Sequence, residues 1–339
     1  MRKFLFALVL LLTVVFVMVR STELQHILET FSRGDWRFLL MALVVQAAWV
    51  VNVGASYRII FQLVGIPEKL WHMVQLSSAA NFMNIIAPSG GLGGLVLFFA
   101  EARKKGYSSA RAAVSGALFV LFDYTGFLVV LALGLGFLFY TNRLGWPETA
   151  ASIILLAGAV GLAFLLYLGM HSASQLGSLL AGLASAVNRV VWPFIHREYL
   201  STVRARAFAS DAAEGMLALR GKNRELLVPL ALALFNKALL ICVLFLVFLA
   251  FGIPFSAGTL IAGFSMGYLF LIVSPTPAGI GVVEGVMALS LHTWGVPLDS
   301  AAVVVLAYRA FTFWGPFLAG MQTFRVMAGP RSAKRAPIN

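Results

Sequence analysis

Two apolar segments of this chain are broken by proline and glycine at matching places in its two halves. They read Ile85-Ile86-Ala87-Pro88-Ser89-Gly90-Gly91-Leu92-Gly93-Gly94 and Ile272-Val273-Ser274-Pro275-Thr276-Pro277-Ala278-Gly279-Ile280-Gly281. Proline removes a backbone donor and glycine admits dihedrals closed to other residues, so neither suits a helix interior that faces lipid. In a bilayer, irregular backbone persists only where protein or a water-filled cavity satisfies its polar groups. Paired interruptions therefore mark a site built between two repeats. The breaking residues are Pro88, Gly91 and Gly93 in the first copy, and Pro275, Pro277, Gly279 and Gly281 in the second.

The bilayer itself is implied by a chain that is 60% hydrophobic and only 11% charged. The fold class expected is an all-α polytopic membrane protein. Its single cysteine, Cys242, sits in an apolar run, which excludes a disulfide framework and reads as an inert buried thiol. A net charge of +12 is assigned to cytoplasmic loops and anionic lipid headgroups, since no nucleic-acid-binding motif accompanies it.

Met1-Arg2-Lys3 followed by apolar Phe4 to Val19 reads as an uncleaved first span that starts in the cytoplasm, because no small-residue cleavage site follows. Further spans are predicted near 37–57, 112–140, 149–171, 227–250 and 301–325, each about long enough for a ~30 Å core. The broken segments, near 71–101 and 256–293, are each long enough for two helical arms, and are expected to enter and leave on one side as re-entrant hairpins. That gives about six full spans plus two oppositely oriented hairpins. With the hairpins so placed, Arg58, Lys69, Arg103, Lys104, Lys105, Arg111, the seven Lys/Arg from Arg189 to Arg224, and Arg325, Arg331, Lys334 and Arg335 fall on the cytoplasmic side. Both termini are then cytoplasmic and the positive-inside rule is met. Simple crossings at both breaks would put Arg103-Lys104-Lys105 outside.

The halves align. Gly65-Ile66-Pro67 recurs as Gly252-Ile253-Pro254 (252 − 65 = 187), and Pro88 meets Pro275 at the same offset. Gly91-Leu92-Gly93 meets Gly279-Ile280-Gly281, and Ala112-Ala113-Val114 meets Ala301-Ala302-Val303. Because the copies begin from opposite sides, the repeat is expected to be inverted. One integral-membrane domain, 1–339, is thus divided into a first span and outer loop (1–36), repeat 1 (37–140), a connecting span with a basic linker (141–226), repeat 2 (227–328) and a basic tail (329–339). Within 172–226, basic residues alternate with alanine and leucine, which suggests helices on an anionic membrane surface; the alternative is a solvated linker.

Several motifs together resemble the flippase-like integral-membrane domain of lysylphosphatidylglycerol synthases and its stand-alone relatives. They are Asn81 through Pro88 with its glycine-rich continuation, the basic turn ending at Gly106 before a helix with Asp123, and Pro275-x-Pro277-Ala278-Gly279-Ile280-Gly281-Val282-Val283-Glu284 followed by Arg309. The resemblance spans nearly the whole chain. It implies re-entrant helices, a bacterial or archaeal cytoplasmic membrane, and movement of phospholipid or polyprenyl-linked lipid between leaflets. Many relatives carry Gly-Glu after the first break where this chain has Gly93-Gly94-Leu95, so one carboxylate is missing. Little chain follows the last span, so a soluble aminoacyl-transferase domain is not expected, nor synthesis of lysylphosphatidylglycerol.

Independently, Asp123, Lys237, Glu284 and Arg309 fall in apolar segments, where each charge costs at least ~2.5 kcal/mol at the bilayer centre. Such groups face a wet cavity or one another. Glu284 lies one turn after Gly281, near a helix N-terminus that also collects donors for anions. Arg309 is the candidate for a lipid phosphate, and Glu284 for its orienting, proton-linked or cation-binding partner; the alternative is a structural ion pair. Asp123 and Lys237 form a second candidate pair. Asn81 and Asn84 precede the first break, where their amides can cap freed backbone groups or touch a headgroup. Arg58 and Tyr57, at the end of the second span, read as an interfacial anchor or a headgroup-gathering site.

His26, His72, His171, His196 and His292 are scattered without metal-ligand spacing, so no metal site or cofactor is expected. There is no Gly-x-Ser-x-Gly elbow and no P-loop, and no catalytic residues are assigned. The expected function is lipid transport without ATP hydrolysis by a protein that is not an enzyme. Its partners are membrane lipids with anionic headgroups, not nucleic acid, and a homo-oligomer is left open. The alternative is a membrane enzyme or accessory subunit of a glycosyl- or aminoacyl-lipid pathway.

Overall fold

The computed structural model describes residues 34–86, 93–140, 146–195, 201–219, 221–222, 224–274 and 276–328, and no strand occurs among them. Helix α1 (Trp36–Leu63) leads into a broken pair, α2 (Leu70–Ile86) and α3 (Gly93–Lys104). Long helices α4 (Ser109–Tyr140) and α5 (Trp146–His171) come next, then α6 (Ala173–Ile195) and α7 (Thr202–Leu217). The second half repeats the order: α8 (Leu227–Ala250), a broken pair of α9 (Ala257–Val273) and α10 (Val282–Thr293), then α11 (Leu298–Arg309). Its axis continues through a π-helical turn (Ala310–Trp314) into α12 (Gly315–Ala328).

Among the described residues, five helices are long and apolar enough to cross a bilayer: α1, α4, α5, α8 and the joined α11–α12. They coincide with five of the six spans read from sequence. The expected first span, the breaking residues Pro88, Gly91 and Pro275, and the basic tail lie outside the described residues. One boundary is corrected. Helix α1 runs on to Leu63, so Tyr57 and Arg58 lie inside it, and it stops where Gly65 takes a left-handed φ of 84°.

The two broken pairs have the same dimensions, a 17-residue arm followed by a 12-residue arm. At 1.5 Å per residue these arms reach about 25 and 18 Å, short of a ~30 Å hydrocarbon core. Each pair folds back on itself. In the first, His72 bonds Glu101 and the Asn84 side chain meets Gly94; in the second, Gly263 faces Leu291 and Gly267 faces Met287.

Packing between the halves obeys a pseudo-two-fold. The axial pair is α1 and α8, which run antiparallel: Asp35 N donates to Ala250 O at one end, and Lys222 Nζ donates to Leu63 O at the other. Each hairpin then docks on the last span of the opposite half, α2 on α12 and α9 on α4. Both docks depend on a glycine against a serine. A Cβ on Gly320 would stand 2.4 Å from Ser78 O, and one on Gly134 would stand 2.5 Å from Ser265 Oγ. Ser78 and Ser265 are themselves 187 residues apart (265 − 78 = 187), the offset found between the breaks.

The ends of the bundle differ in chemistry. One gathers the C-terminus of α1, the base of the first hairpin, the start of α4 and α7, with ion pairs Lys105–Glu68 at 2.5 Å and Arg111–Glu214. The other gathers the start of α1, the end of α8 and the base of the second hairpin, where Phe137 packs on Trp294 with ring centroids 4.7 Å apart. Residues 172–226, read as surface helix or linker, are largely the helices α6 and α7, which pack together and on α5; α7 also packs on α4.

Candidate functional site

The second break is built by local rules. Ser274 ends α9 in extended conformation and its hydroxyl accepts from Thr276 N at 3.2 Å, after which Pro277 opens a short 3-10 turn. Ala278 has φ 52°, the one described non-glycine residue in the left-handed region, followed by Gly279 at 69° and Gly281 at 82°. Glycine tolerates those angles; alanine is strained there by about 1 kcal/mol or more. Compensation comes from Arg309, whose Nη2 donates to Ala278 O at 3.0 Å.

Glu284 is the third residue of α10 and closes its N-terminus. Its Oε2 accepts from Gly281 N at 2.7 Å, while Oε1 accepts from Arg309 Nε at 2.8 Å. The pair expected from sequence is therefore formed, and Glu284 is committed to orienting Arg309 and capping the arm. Arg309 immediately precedes the π turn, a local widening that recurs at functional sites. The guanidinium lies 4.7 Å from the Phe313 ring centroid and retains donors beyond those two contacts.

Asp123 and Lys237 also pair. Lys237 is fully buried and its Nζ donates to Asp123 Oδ1 at 2.6 Å and to Tyr268 OH at 2.5 Å. Tyr268 OH donates in turn to Asp123 Oδ2 at 2.9 Å, and Asn236 Nδ2 to Oδ1 at 3.3 Å. One carboxylate thus ties α4, α8 and α9 together.

Two cavities of about 180 and 210 Å³ adjoin these pairs. The first is lined by Asp123, Tyr57, Asn84 and Asn236, the second by Arg309, Tyr308, Thr312 and Phe313. Trp49, Asn81 and Tyr268 line both, and so join them. Trp49 and Asn236 are 187 residues apart (236 − 49 = 187), as are Asn81 and Tyr268 (268 − 81 = 187). Equivalent positions of the two halves thus meet at one space, which places it on the pseudo-two-fold axis.

Of the residues singled out in sequence, Arg309, Asp123, Asn81 and Asn84 line this space, while Glu284 and Lys237 stand behind it, bonded to Arg309 and Asp123. Asn84 also caps, its Oδ1 accepting from Gly94 N at 2.6 Å at the start of α3. Arg58 stands apart; its Nε donates to Glu68 O at 3.3 Å, which ties α1 to the loop after it. Sequence reasoning missed Tyr268, Asn236 and Trp49; it named Tyr57 with Arg58 at the end of a span, and the structure puts Tyr57 in the first cavity. The repeat offset of 187 connects Tyr268 with Asn81, and would have found it.

A cluster of Glu68, His72 and Glu101 at the base of the first hairpin has ligand atoms within 4.8 Å of one another. Lys105 supplies its countercharge, 2.5 Å from Glu68 and 3.9 Å from Glu101, and the cluster reads as an ionic lock between the arms. A buried amide, Gln46, has both side-chain polar atoms unpaired among the described residues.

The fold and site define an α-helical polytopic membrane protein with paired broken-helix hairpins around an axial polar cavity. The chain belongs to the lysylphosphatidylglycerol synthase TM region family, whose pattern matches residues 4–320. A lipid-related role in the membrane follows from that membership. No curated protein matches the chain significantly.

Proposed function

We propose that the protein is a flippase-type transporter that moves a phosphate-bearing phospholipid or polyprenyl-linked lipid between leaflets without ATP hydrolysis. The observation that carries this reading is the cavity on the pseudo-two-fold axis, walled by both hairpins and reached by the guanidinium of Arg309. Transporter sites recur at the interface of inverted repeats, beside interrupted helices. The hairpin arms are too short to cross a bilayer, which supports their reading as re-entrant from opposite faces. The basic end of the bundle is assigned to the cytoplasm and the aromatic end to the outside, in an inner membrane with both termini cytoplasmic.

In this mechanism the lipid phosphate takes the donors of Arg309 left over from Glu284 and Ala278, while the acyl or prenyl chains stay in the bilayer. Glu284 fixes the guanidinium and does not need to touch the lipid. No bond of the substrate is broken, so the protein is read as a transporter and not an enzyme.

Reconstitution in liposomes with labelled lipids, read as leaflet exchange, tests this. The wild-type protein is expected to accelerate exchange, and Arg309→Ala to lower the protein-dependent rate at least tenfold. If no lipid moves faster than in protein-free vesicles, or Arg309→Ala leaves the rate unchanged, the reading fails.

A further inference from the structure

The charges around the axial cavity are already committed to partners. Asp123 receives Lys237, Asn236 and Tyr268, and Glu284 receives Arg309 and the Gly281 amide. The groups that remain available are mostly uncharged. Asn81, which lines both cavities, makes no side-chain hydrogen bond among the described residues, and neither do the hydroxyls of Tyr57 in the first and Tyr308 in the second. Asn84 uses its oxygen on Gly94 and keeps its amide nitrogen. The only charged donor left over among the described residues of the two cavities is the part of Arg309 beyond Glu284 and Ala278.

The unpaired atoms include both donors and acceptors. A carboxylate accepts only, so Asn236 must present Nδ2 to Asp123, which leaves Oδ1 as an unpaired acceptor. Its counterpart across the pseudo-two-fold, Trp49, holds an unpaired donor at Nε1. Both are buried atoms of residues that line the first cavity. An ammonium group only donates and brings a full positive charge, but the carboxylate that lines the first cavity, Asp123, is already neutralised by Lys237. A hydroxyl donates and accepts at once, and suits amides, phenols and the Trp49 indole together. At roughly 10–15 Å³ per water-sized probe, ~180 Å³ is room for a group far larger than one water.

We infer that the headgroup carried is an uncharged sugar or polyol on a single phosphate, the phosphate on Arg309 and the hydroxyls on Asn81, Asn84, Tyr57 and Tyr308. The inference rests on the transporter reading, and it separates lipids by the group esterified to the far side of the phosphate. Hydroxyl-bearing heads match the free groups, whereas ethanolamine and aminoacyl heads bring an ammonium that finds no uncommitted anion.

Two measurements test it and keep it apart from transport. The first titrates detergent-solubilised protein with short-chain lipids bearing a glucosyl phosphate, glycerophosphate, phosphoethanolamine or lysyl-phosphoglycerol head, followed by calorimetry. The second follows leaflet exchange of the same headgroups in vesicles. Both hydroxyl heads are expected to bind at least tenfold tighter than the phosphoethanolamine head, and tighter than the lysyl head. Asn81→Leu is expected to erase that margin, and Asn81→Asp, which installs a free carboxylate, to shift preference toward the ammonium heads. A result in which the ammonium heads bind as tightly as the hydroxyl heads, or in which Asn81→Asp leaves the preference unmoved, overturns the inference. Preferential binding with no exchange of any lipid would support the headgroup assignment and sink transport alone. Exchange with equal binding would do the reverse.

Discussion

At the scale of single residues, the buried Asp123–Lys237 pair is held by geometry that tolerates no half measures. Lys237 is fully buried, so Lys237→Met leaves the Asp123 carboxylate without its cation, while Asp123→Asn leaves an uncompensated ammonium. Breaking a buried pair from one side costs about 3–5 kcal/mol, whereas replacing both members with neutral residues of similar volume is often near neutral. Each single variant is therefore expected to unfold at markedly lower temperature in detergent, and Asp123→Asn/Lys237→Met to recover most of the loss. A double variant no better than the worse single would show that the pair is not the coupled unit described. This pair was legible in sequence, because two opposite charges in apolar segments must find partners, and the structure forms it as expected. Its further partners were harder to read. Tyr268 was reachable only through the repeat offset from Asn81, and Asn236 raises no alarm in a helix until the tertiary packing brings it to the carboxylate.

At the scale of elements, the breaks were legible because proline and glycine act locally, and the hairpin arms end where those residues stand. Sequence did not disclose that Ala278 itself takes a left-handed conformation, since alanine carries no signature of it. Ala278→Gly removes that steric penalty and is expected to stabilise the fold by roughly 1 kcal/mol, read as a small rise in unfolding temperature. A fall instead would mean that the alanine methyl contributes packing that outweighs its strain. The docking of the hairpins makes a stronger prediction. A side chain at Gly320 would press on the backbone of Ser78 and on Phe82, and backbone cannot swing aside as a flexible side chain does. Gly320→Val is expected to separate α2 from α12 and to lower the unfolding temperature in detergent markedly, more than Gly320→Ala. An unchanged unfolding temperature for Gly320→Val would show that the interface has slack.

At the scale of the whole molecule, the matched arms, the equivalent docks and the antiparallel α1 and α8 all express one pseudo-two-fold. The sequence carried that symmetry as offsets near 187, because helix lengths and breaks keep their spacing between the halves even where side chains have diverged. The halves have diverged most in charge: Glu284 and Arg309 belong to one copy, and the matching stretch of the other, Gly93-Gly94-Leu95, carries no carboxylate. An inverted repeat in a membrane makes its two hairpin bases face opposite solutions. The ionic base, with Lys104 largely exposed, and the aromatic base, with Thr293 exposed, should then differ in access. With Cys242 replaced by alanine, Lys104→Cys is expected to react with an impermeant maleimide only after the cytoplasmic face is opened, and Thr293→Cys in intact cells. Labelling of both from one side would end the opposed-hairpin arrangement, and with it the placing of the axial cavity between two leaflets.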